Sequence, residues 1–464
     1  MAKKKASNSL MSRRNILKFG LQGGLVASLS PYLSGYSNRP FGEKTNVIVI
    51  VMDTTRVDRL GCYGYWRQTS PNIDELAKDS LVYDRAIAPS SWTLPSHASL
   101  FTGKFASSHG AMYDSKGPFV LLDAIEGPST YDRYRVRGLA KDELTLAMVL
   151  KQEGYTTGAV VAAIWLKKIF GLNKGFEFYD DTGVETVNGR LAKSVTASAI
   201  DWIDKTRQKK FFLFLNYFDA HAPYMPPEGF AKAFMPETAK LQGRSTRQVD
   251  NALYDAEILY VDHYIGQLLK KLKEYNLYDK TMIIVTADHG ELMGEHNKFR
   301  HGYDLYQQEI HIPMLIKYPH GEVSPARTAT QIQLVDIMAI ILERLKIDVP
   351  DGCQGNIPPD LGHPIVSEVS PLPVEAANGN WRAIYDGDFK FIWNSKGKHL
   401  LFNLKNDPGE RVNLLLFEQQ RRADQMLSKL NRYMSNLPAP GPVAEQQQLD
   451  EKTKNALKSL GYVN

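Results

Sequence analysis

The chain has 464 residues, 43% hydrophobic, 10% aromatic and 23% charged, a globular composition that excludes wholesale disorder and allows a large core without covalent staples. Cys62 and Cys353 are the only cysteines, which excludes a disulfide scaffold and a cysteine-based zinc site. The formal charge is +5, but residues 1–37 hold Lys3, Lys4, Lys5, Arg13, Arg14 and Lys18 and no acid, so the rest of the chain stands at −1; no nucleic-acid partner is expected of so neutral a body.

Residues 1–37 read as an export signal. Ser12-Arg13-Arg14-Asn15-Ile16-Leu17-Lys18 precedes a modestly apolar run, Phe19 to Leu33, interrupted by Gly20, Gly23 and Gly24. Paired arginines, a weak apolar middle and no acids suggest the twin-arginine route and its export machinery as a partner. A spanning helix needs about 20 apolar residues, and this run is shorter and more broken. The expectation is an exported, periplasmic or otherwise extracytoplasmic protein that folds and takes up any metal before crossing. It stays membrane-anchored if the signal, which shows no clear Ala-x-Ala site, is not cleaved.

The β-branched run Asn46 to Met52 predicts a strand buried on both faces, ending at Asp53-Thr54-Thr55. A helix is predicted over 72–78 and another over 144–153. Phe211 to Leu215 predicts a second buried strand, ending at Asn216 to His221 with Asp219 between them. After a helix over 254–275, Met282 to Thr286 predicts a third strand, ending at Ala287-Asp288-His289-Gly290-Glu291, and Pro313 to Tyr318 a fourth. Buried strands alternating with helices predict an α/β domain over 44–348 with a mainly parallel sheet flanked by helices. The Pro- and Gly-rich stretch 349–373 reads as a boundary. Short strands at 381–385, 389–393 and 399–403 and a helix over 418–434 predict a smaller antiparallel-sheet and helix subdomain over 374–464. The stretches 114–142 and 228–251 read as loops without a legible code.

In a parallel sheet, ligands bind beyond the carboxyl ends of the strands. Asp53, Asp219, Asp288 and His289 all fall there, and carboxylates with an imidazole suit a hard or borderline divalent cation. Thr93, before Leu94-Pro95-Ser96, sits where a helix can begin and where N–H groups favour an anion. Trp92 reads as packing, His109 as a turn residue and His296 as a solvated loop residue.

The run Thr93-Leu94-Pro95-Ser96-His97-Ala98-Ser99-Leu100-Phe101-Thr102-Gly103 resembles the sulfatase signature C/S-x-P-S-R-x-x-x-x-T-G. The likeness continues through Gly61-Cys62-Tyr63-Gly64, Asp219 to Tyr224, Ala287 to Glu291 and His301-Gly302 with Leu305-Tyr306. It reaches Phe402 to Glu410 with Asn413-Leu414, and Ser459 to Val463. The resemblance implies an alkaline-phosphatase-like core that cleaves sulfate or phosphate esters. It implies Asp53, Asp288 and His289, with Thr93, around one divalent ion (Zn, Mn, Mg or Ca, with His mildly favouring Zn or Mn). Thr93 matches the nucleophile, His97 the signature arginine and His221 an anion contact. His301 stands where many sulfatases place an anion-binding lysine, and Lys167 and Lys168 are candidates for another lysine motif.

This chain also departs from that pattern. Sulfatases oxidise a cysteine or serine to formylglycine, which Thr93 with its β-methyl group cannot become; Thr54 stands where a second metal-binding aspartate is expected. A threonine with Asp-Asp-His resembles the superfamily's phosphodiesterases and headgroup transferases. A cation lowers the threonine hydroxyl's pKa, which favours attack on phosphorus. The expected function is metal-dependent hydrolysis of sulfate or phosphate mono- or diesters, phosphoryl chemistry favoured, on an anionic ester such as a sulfated or phosphorylated glycan or lipid headgroup. The alternatives are a catalytically silent binder of such glycans and a transferase of a phosphorylated headgroup. Asp219, His221, His296 and His301 are the set from which a second metal site about 4 Å away could be built; one metal is the expectation.

Overall fold

The computed structural model describes residues 44–114, 119–120, 135–227, 229–235, 246–370, 378–442 and 447–460; the 1–37 signal and the final 461–464 lie outside them. The strands of the two larger sheets are numbered in chain order. A nine-stranded sheet contains β1 (Asn46–Met52), β2 (Leu81–Ile87), β3 (Thr156–Val160), β4 (Phe178–Asp180) and β5 (Phe211–Tyr217). β6 (Thr281–Thr286), β7 (His311–Ile312), β8 (Met314–Lys317) and β9 (Ala326–Gln333) complete it. The order is β7-β2-β8-β6-β1-β5-β3-β4, with β9 paired to β2.

The three strands legible as continuous apolar runs lie side by side at the centre. β1 runs parallel to both β5 and β6, with Val51 opposite Asn216 on one side and Thr286 on the other. Every residue of β1, β5 and β6 is buried, as expected when helices cover both faces. This register brings the ends of β1 and β6 together, and Asp53 N–H, donating to Tyr217 O at 2.8 Å, continues the ladder to β5. The fourth predicted strand is antiparallel: β8 pairs antiparallel with both β6 and β2. It follows β6 through a loop that turns back along the same edge, so no crossover helix intervenes.

The principal helices are α1 (Pro71–Ala77), α2 (Thr93–Thr102), α3 (Leu146–Gln152), α4 (Ala192–Thr206), α5 (Thr246–Glu274), α6 (Ile337–Arg344) and α7 (Gln420–Asn436). α5 begins inside the stretch read as an uncoded loop. No helix among the described residues is long and apolar enough to cross a membrane.

The second sheet is antiparallel, with β10 (Val366–Val369), β11 (Trp381–Asp386), β12 (Phe389–Asn394) and β13 (Leu400–Asn403) in sequential order. β10 falls within the stretch read as the 349–373 boundary, so the subdomain's sheet starts before residue 374. It has its own apolar cluster with α7, including Ile384, Phe391, Leu401, Met426 and Leu430. Backbone and buried polar contacts fasten it to the larger sheet: Glu368 N–H donates to Pro89 O at 2.9 Å and Ser367 Oγ to Ala88 O at 2.6 Å.

Candidate active site

All ten residues of α2 are buried. Two of its hydroxyls are satisfied locally: Ser96 Oγ donates to Ser90 O at 2.9 Å and Thr102 Oγ1 to Ala98 O at 2.7 Å. Pro95 is tolerated because first-turn N–H groups have no intrahelical acceptor. Gly103, at φ 64°, ends the helix in the left-handed conformation. No side chain caps the opposite end, where Trp92 is the N-cap and Thr93 the first helical residue. α2 therefore presents the Thr93 hydroxyl and uncapped first-turn amides to the carboxyl edge of the sheet.

There Thr93 Oγ1 lies 3.2 Å from His289 Nε2. His289 Nδ1–H donates to Gly290 O at 2.9 Å, which leaves the Nε2 lone pair to accept from Thr93. Asp53, Asp288 and His289 are buried with ligand atoms all within 4.8 Å of one another. Asp288 Oδ1 accepts the N–H groups of His289 at 2.9 Å and Thr54 at 3.3 Å. Asp53 Oδ2 has a long contact to Asn216 Nδ2, at 3.5 Å. Asp53 Oδ1 and Asp288 Oδ2 are buried without a hydrogen-bond partner, and burial together with the Asp288 charge holds the Asp53 carboxyl well above the usual range. Two orphaned carboxylate oxygens beside an imidazole lone pair are a donor set that fits a divalent cation. Nε2 has one lone pair, so it serves either the Thr93 hydroxyl or the cation.

His97 does not stand in the place of a free arginine. Its Nδ1 donates to its own helix at Thr93 O, 2.8 Å away, lies 3.6 Å from Asp288 Oδ2, and its ring packs edge-on against Phe214. Burial lowers its pKa, so it braces Thr93 and Asp288 as a neutral ring. Thr54, at φ 53°, turns its hydroxyl away to Ala220 O at 2.7 Å and adds no ligand to the cluster. Lys167 is held by Glu185 and Thr453, and Lys168 by Asp181; their engagement with those partners leaves the expected lysine motif unfilled by either.

His221 and His301 do converge on the site. The His301 ring centre is 4.4 Å from that of His289 and 5.0 Å from that of His221. His221 Nδ1 donates to Ala222 O at 2.6 Å and stacks on Phe218; His301 Nδ1 meets Glu291 Oε1 at 3.0 Å. Burial holds both imidazoles well below their ordinary pKa. The four residues considered for a second metal are not assembled into one site. Among the described residues Asp53, Asp288 and His289 form the only metal-type group of three. Both Asp219 oxygens accept Ala192 N–H at the start of α4, at 3.2 and 2.9 Å, and burial pushes that carboxyl up to about 7. His296, rather than being solvated, lies flat on Tyr306 at 3.7 Å.

Sequence reasoning missed Glu291, which is buried and orients both His301 and Tyr224, whose hydroxyl donates to Oε2 at 3.2 Å. Its position two residues after His289 was the available signal. It also missed Asn216, whose Oδ1 accepts the N–H groups of Ala162 and Ala163 at 3.1 and 2.9 Å while its amide faces Asp53. Trp92 and His109 are structural: Trp92 packs edge-on against Trp165 at 5.0 Å, and His109 bridges Ser99 Oγ and Ala111 N–H.

The chain is similar to known proteins in sequence and in fold. An arylsulfatase of Clostridium perfringens (strain 13 / Type A) is 24% identical over 463 residues, spanning 83% of this chain and 93% of its own. Among solved structures, BT4656 in complex with its substrate D-glucosamine-2-N,6-O-disulfate superposes with a TM-score of 0.68 at 19% identity, covering 85% of this chain and 98% of that one. The phosphonate monoester hydrolase of Agrobacterium radiobacter gives 0.66 at 18% identity, covering 84% and 96%. With the Sulfatase family model matching residues 45–347, a span that holds Thr93 and the whole Asp53-Asp288-His289 cluster, the chain belongs to the sulfatase family of the alkaline phosphatase superfamily, hydrolases of sulfuric and related ester bonds.

Proposed function

We propose that the chain hydrolyses phosphoric mono- or diesters with Thr93 Oγ1 as the nucleophile, sulfate esters being the competing substrates. The observation that carries this reading is the Thr93 hydroxyl itself, at the uncapped start of α2 and 3.2 Å from His289 Nε2. The phosphonate monoester hydrolase and the glucosamine-disulfate-bound neighbour support an anionic ester, the latter a carbohydrate one. Asp53, Asp288 and His289 would hold the divalent cation, with Thr93 beside them. When bound, it supplies charge that lowers the hydroxyl pKa and offsets charge on the ester's non-bridging oxygens.

The chain's own groups account for the rest. First-turn amides of α2 donate to the ester's non-bridging oxygens. Thr93 Oγ1 loses its proton to water and forms a bond to phosphorus as the bond to the leaving alcohol breaks. Binding of an anion favours the imidazolium form of His301, whose Nδ1 proton Glu291 holds, and that ring protonates the leaving oxygen while His221 lies beside it. Water then attacks the phosphothreonine and gives a proton to His301 as the bond from phosphorus to Oγ1 breaks; Oγ1 takes a proton back from water, and the product is phosphate from a monoester or a phosphate monoester from a diester. A sulfothreonine lacks the easy breakdown that an aldehyde hydrate provides, which supports phosphorus over sulfur.

The test is nitrophenol release from the sulfate, phosphate, phosphodiester and phosphonate esters by protein loaded with Zn²⁺, Mn²⁺, Mg²⁺ or Ca²⁺, with an acid-quenched search for phosphorylated Thr93. Turnover of a phosphorus ester that Thr93→Ala abolishes and Thr93→Ser retains within about tenfold supports the reading. Preference for the sulfate ester, or full activity in Thr93→Ala, overturns it. An exported location is part of the same proposal, supported by Arg13-Arg14; export that survives replacement of both by lysine would count against the twin-arginine route.

A further inference from the structure

Among the described residues seven large apolar side chains are exposed, and three of them stand within one stretch of six residues: Val412 at 47%, Leu416 at 77% and Phe417 at 62%. Single apolar residues on a surface need no explanation, whereas a cluster marks a place where something else sits. This one lies between β13 and α7, in a segment that has no part in the chemistry proposed above.

The segment is fastened from below, so the exposure is built into the fold. Leu414–Leu416 is one 3-10 turn, in which Leu416 N–H donates to Asn413 O at 3.2 Å and Phe417 N–H to Leu414 O at 3.0 Å. Asn413 Oδ1 accepts the N–H groups of Leu401 on β13 and of Leu415, at 3.0 and 3.2 Å, and its amide donates to His399 O at 3.3 Å. Leu414 and Leu415 pack on the apolar cluster shared by the small sheet and α7. Successive side chains of a 3-10 turn point about 120° apart, so with these two leucines turned inward Leu416 faces solvent.

The charge around it is positive. Residues 411–422 hold Arg411, Arg421 and Arg422 against Glu418 alone, a net +2, while residues 38–464 as a whole stand at −1. Glu410, which precedes Arg411, is buried and neutralised by Lys390 at 2.7 Å, so it does not offset the arginines. Arg411 and Arg421 are exposed and enter no ion pair among the described residues. Arg422 lies over the Phe389 ring at 3.9 Å. The turn that carries Lys405, also exposed, is tied to the same segment, because Val412 N–H donates to Asp407 Oδ2 at 2.9 Å.

We propose that Val412, Leu416 and Phe417 form a docking tip for an anionic lipid surface. The three side chains enter the boundary between headgroups and acyl chains, while Arg411, Arg421 and Lys405 meet the lipid phosphates. Two arguments favour a bilayer over a protein partner. Three side chains fall far short of the about 20–30 residues a side that a stable protein interface uses, whereas a tip needs only to sink into a fluid surface. Unpaired arginines beside exposed leucine and phenylalanine are also the composition with which interfacial segments bind anionic lipid. The proposal is independent of the reaction at Thr93.

The test is cosedimentation with vesicles of phosphatidylcholine alone and of phosphatidylcholine with about 30% phosphatidylglycerol. Residues 41–464, the compact unit that holds both apolar cores, are used beside the full chain, because the six cations of residues 1–37 bind anionic lipid by themselves. The expected result is that residues 41–464 bind the anionic vesicles roughly tenfold or more tighter than the neutral ones. Leu416→Ser with Phe417→Ser should weaken that binding by about tenfold or more, and Arg411→Gln with Arg421→Gln should remove the anionic preference. Raising salt from about 0.1 to about 0.5 M should weaken it as well. Both pairs of substitutions lie on exposed side chains and should leave the melting temperature within about 2 °C of the parent, which separates loss of docking from loss of the fold. No binding of residues 41–464 to anionic vesicles, equal binding to both kinds, or binding that neither pair reduces overturns the proposal. So does a dimer in sedimentation equilibrium that Leu416→Ser with Phe417→Ser dissociates, since a second copy then covers the tip.

Discussion

Lys390→Met isolates a buried ion pair that ties the small sheet to the active-site loops. Lys390 and Glu410 are both 0% exposed, and Nζ meets Oε1 at 2.7 Å. Glu410 Oε2 accepts Gln307 N–H at 2.6 Å, and Tyr385 Oη donates to Gln307 Oε1 at 2.7 Å. The residues following Gln307 brace the turn that carries Asp288 and His289: Gln308 O accepts Glu291 N–H at 3.0 Å, and Glu309 O accepts Gly290 N–H at 2.7 Å. Methionine fills the volume of the lysine stem but strands a buried carboxylate, at a cost of about 3–5 kcal/mol, a large share of a typical total of roughly 5–15 kcal/mol. The compact unit spans residues 41–464, for which the entropy of unfolding is roughly 0.9 kcal/mol/K, so the melting temperature should fall by about 3–6 °C. Adding Glu410→Gln removes the stranded charge and leaves an acceptor for Gln307 N–H, so the double variant should recover about 1–3 kcal/mol relative to the sum of the singles. Calorimetric melting of the four proteins measures the cycle, and nitrophenyl ester turnover at 25 °C reads the relay to His289. A shift under 1 °C for Lys390→Met, or strict additivity in the double variant, would refute the reasoning.

Gly290→Ala places a Cβ 2.1 Å from Gln308 O, a backbone atom that cannot swing aside. It should cost about 1–3 kcal/mol and lower turnover by displacing the carbonyl that fixes the His289 tautomer; unchanged activity would show that the turn yields freely. Burial drives the His109 imidazole down to about 3 from 6.5, so the ring is neutral in the fold and protonated in the unfolded chain below pH 6.5. Its contribution is therefore fully present above pH 6.5 and is lost as pH falls toward 3, by up to about 1.4 kcal/mol per unit. His109→Gln should accordingly flatten the acid limb of a stability-against-pH curve, and an equally steep limb would contradict the assignment. A divalent cation at a hundred times its dissociation constant should stabilise the chain by about 2.7 kcal/mol, near 3 °C in melting temperature, and chelation should reverse this. Asp288→Asn should abolish the shift, and a shift retained in that variant would place the cation elsewhere.

The amino-acid sequence determined the centre of this protein. β1, β5 and β6 are continuous apolar runs because strands buried on both faces have no polar side to write, and the polar terminators of β1 and β6 are the metal-type residues. Thr93 was legible as a helix start from the proline in the first turn, and as a candidate nucleophile only through the resemblance of Thr93 to Gly103 to the sulfatase signature. Periodicity could not show that β8 is antiparallel, since a buried strand reads the same in either direction. Nor could it show where each polar group spends its hydrogen bonds. Asp219, Asp288 and Asp53 all end strands, yet Asp219 is consumed by an amide of α4, and Thr54 and His97 turn toward backbone carbonyls. Glu291 and Asn216 depend on contacts between segments distant in the chain. Local pattern records which face of an element is apolar, whereas the partner of a buried charge is fixed only when the elements pack.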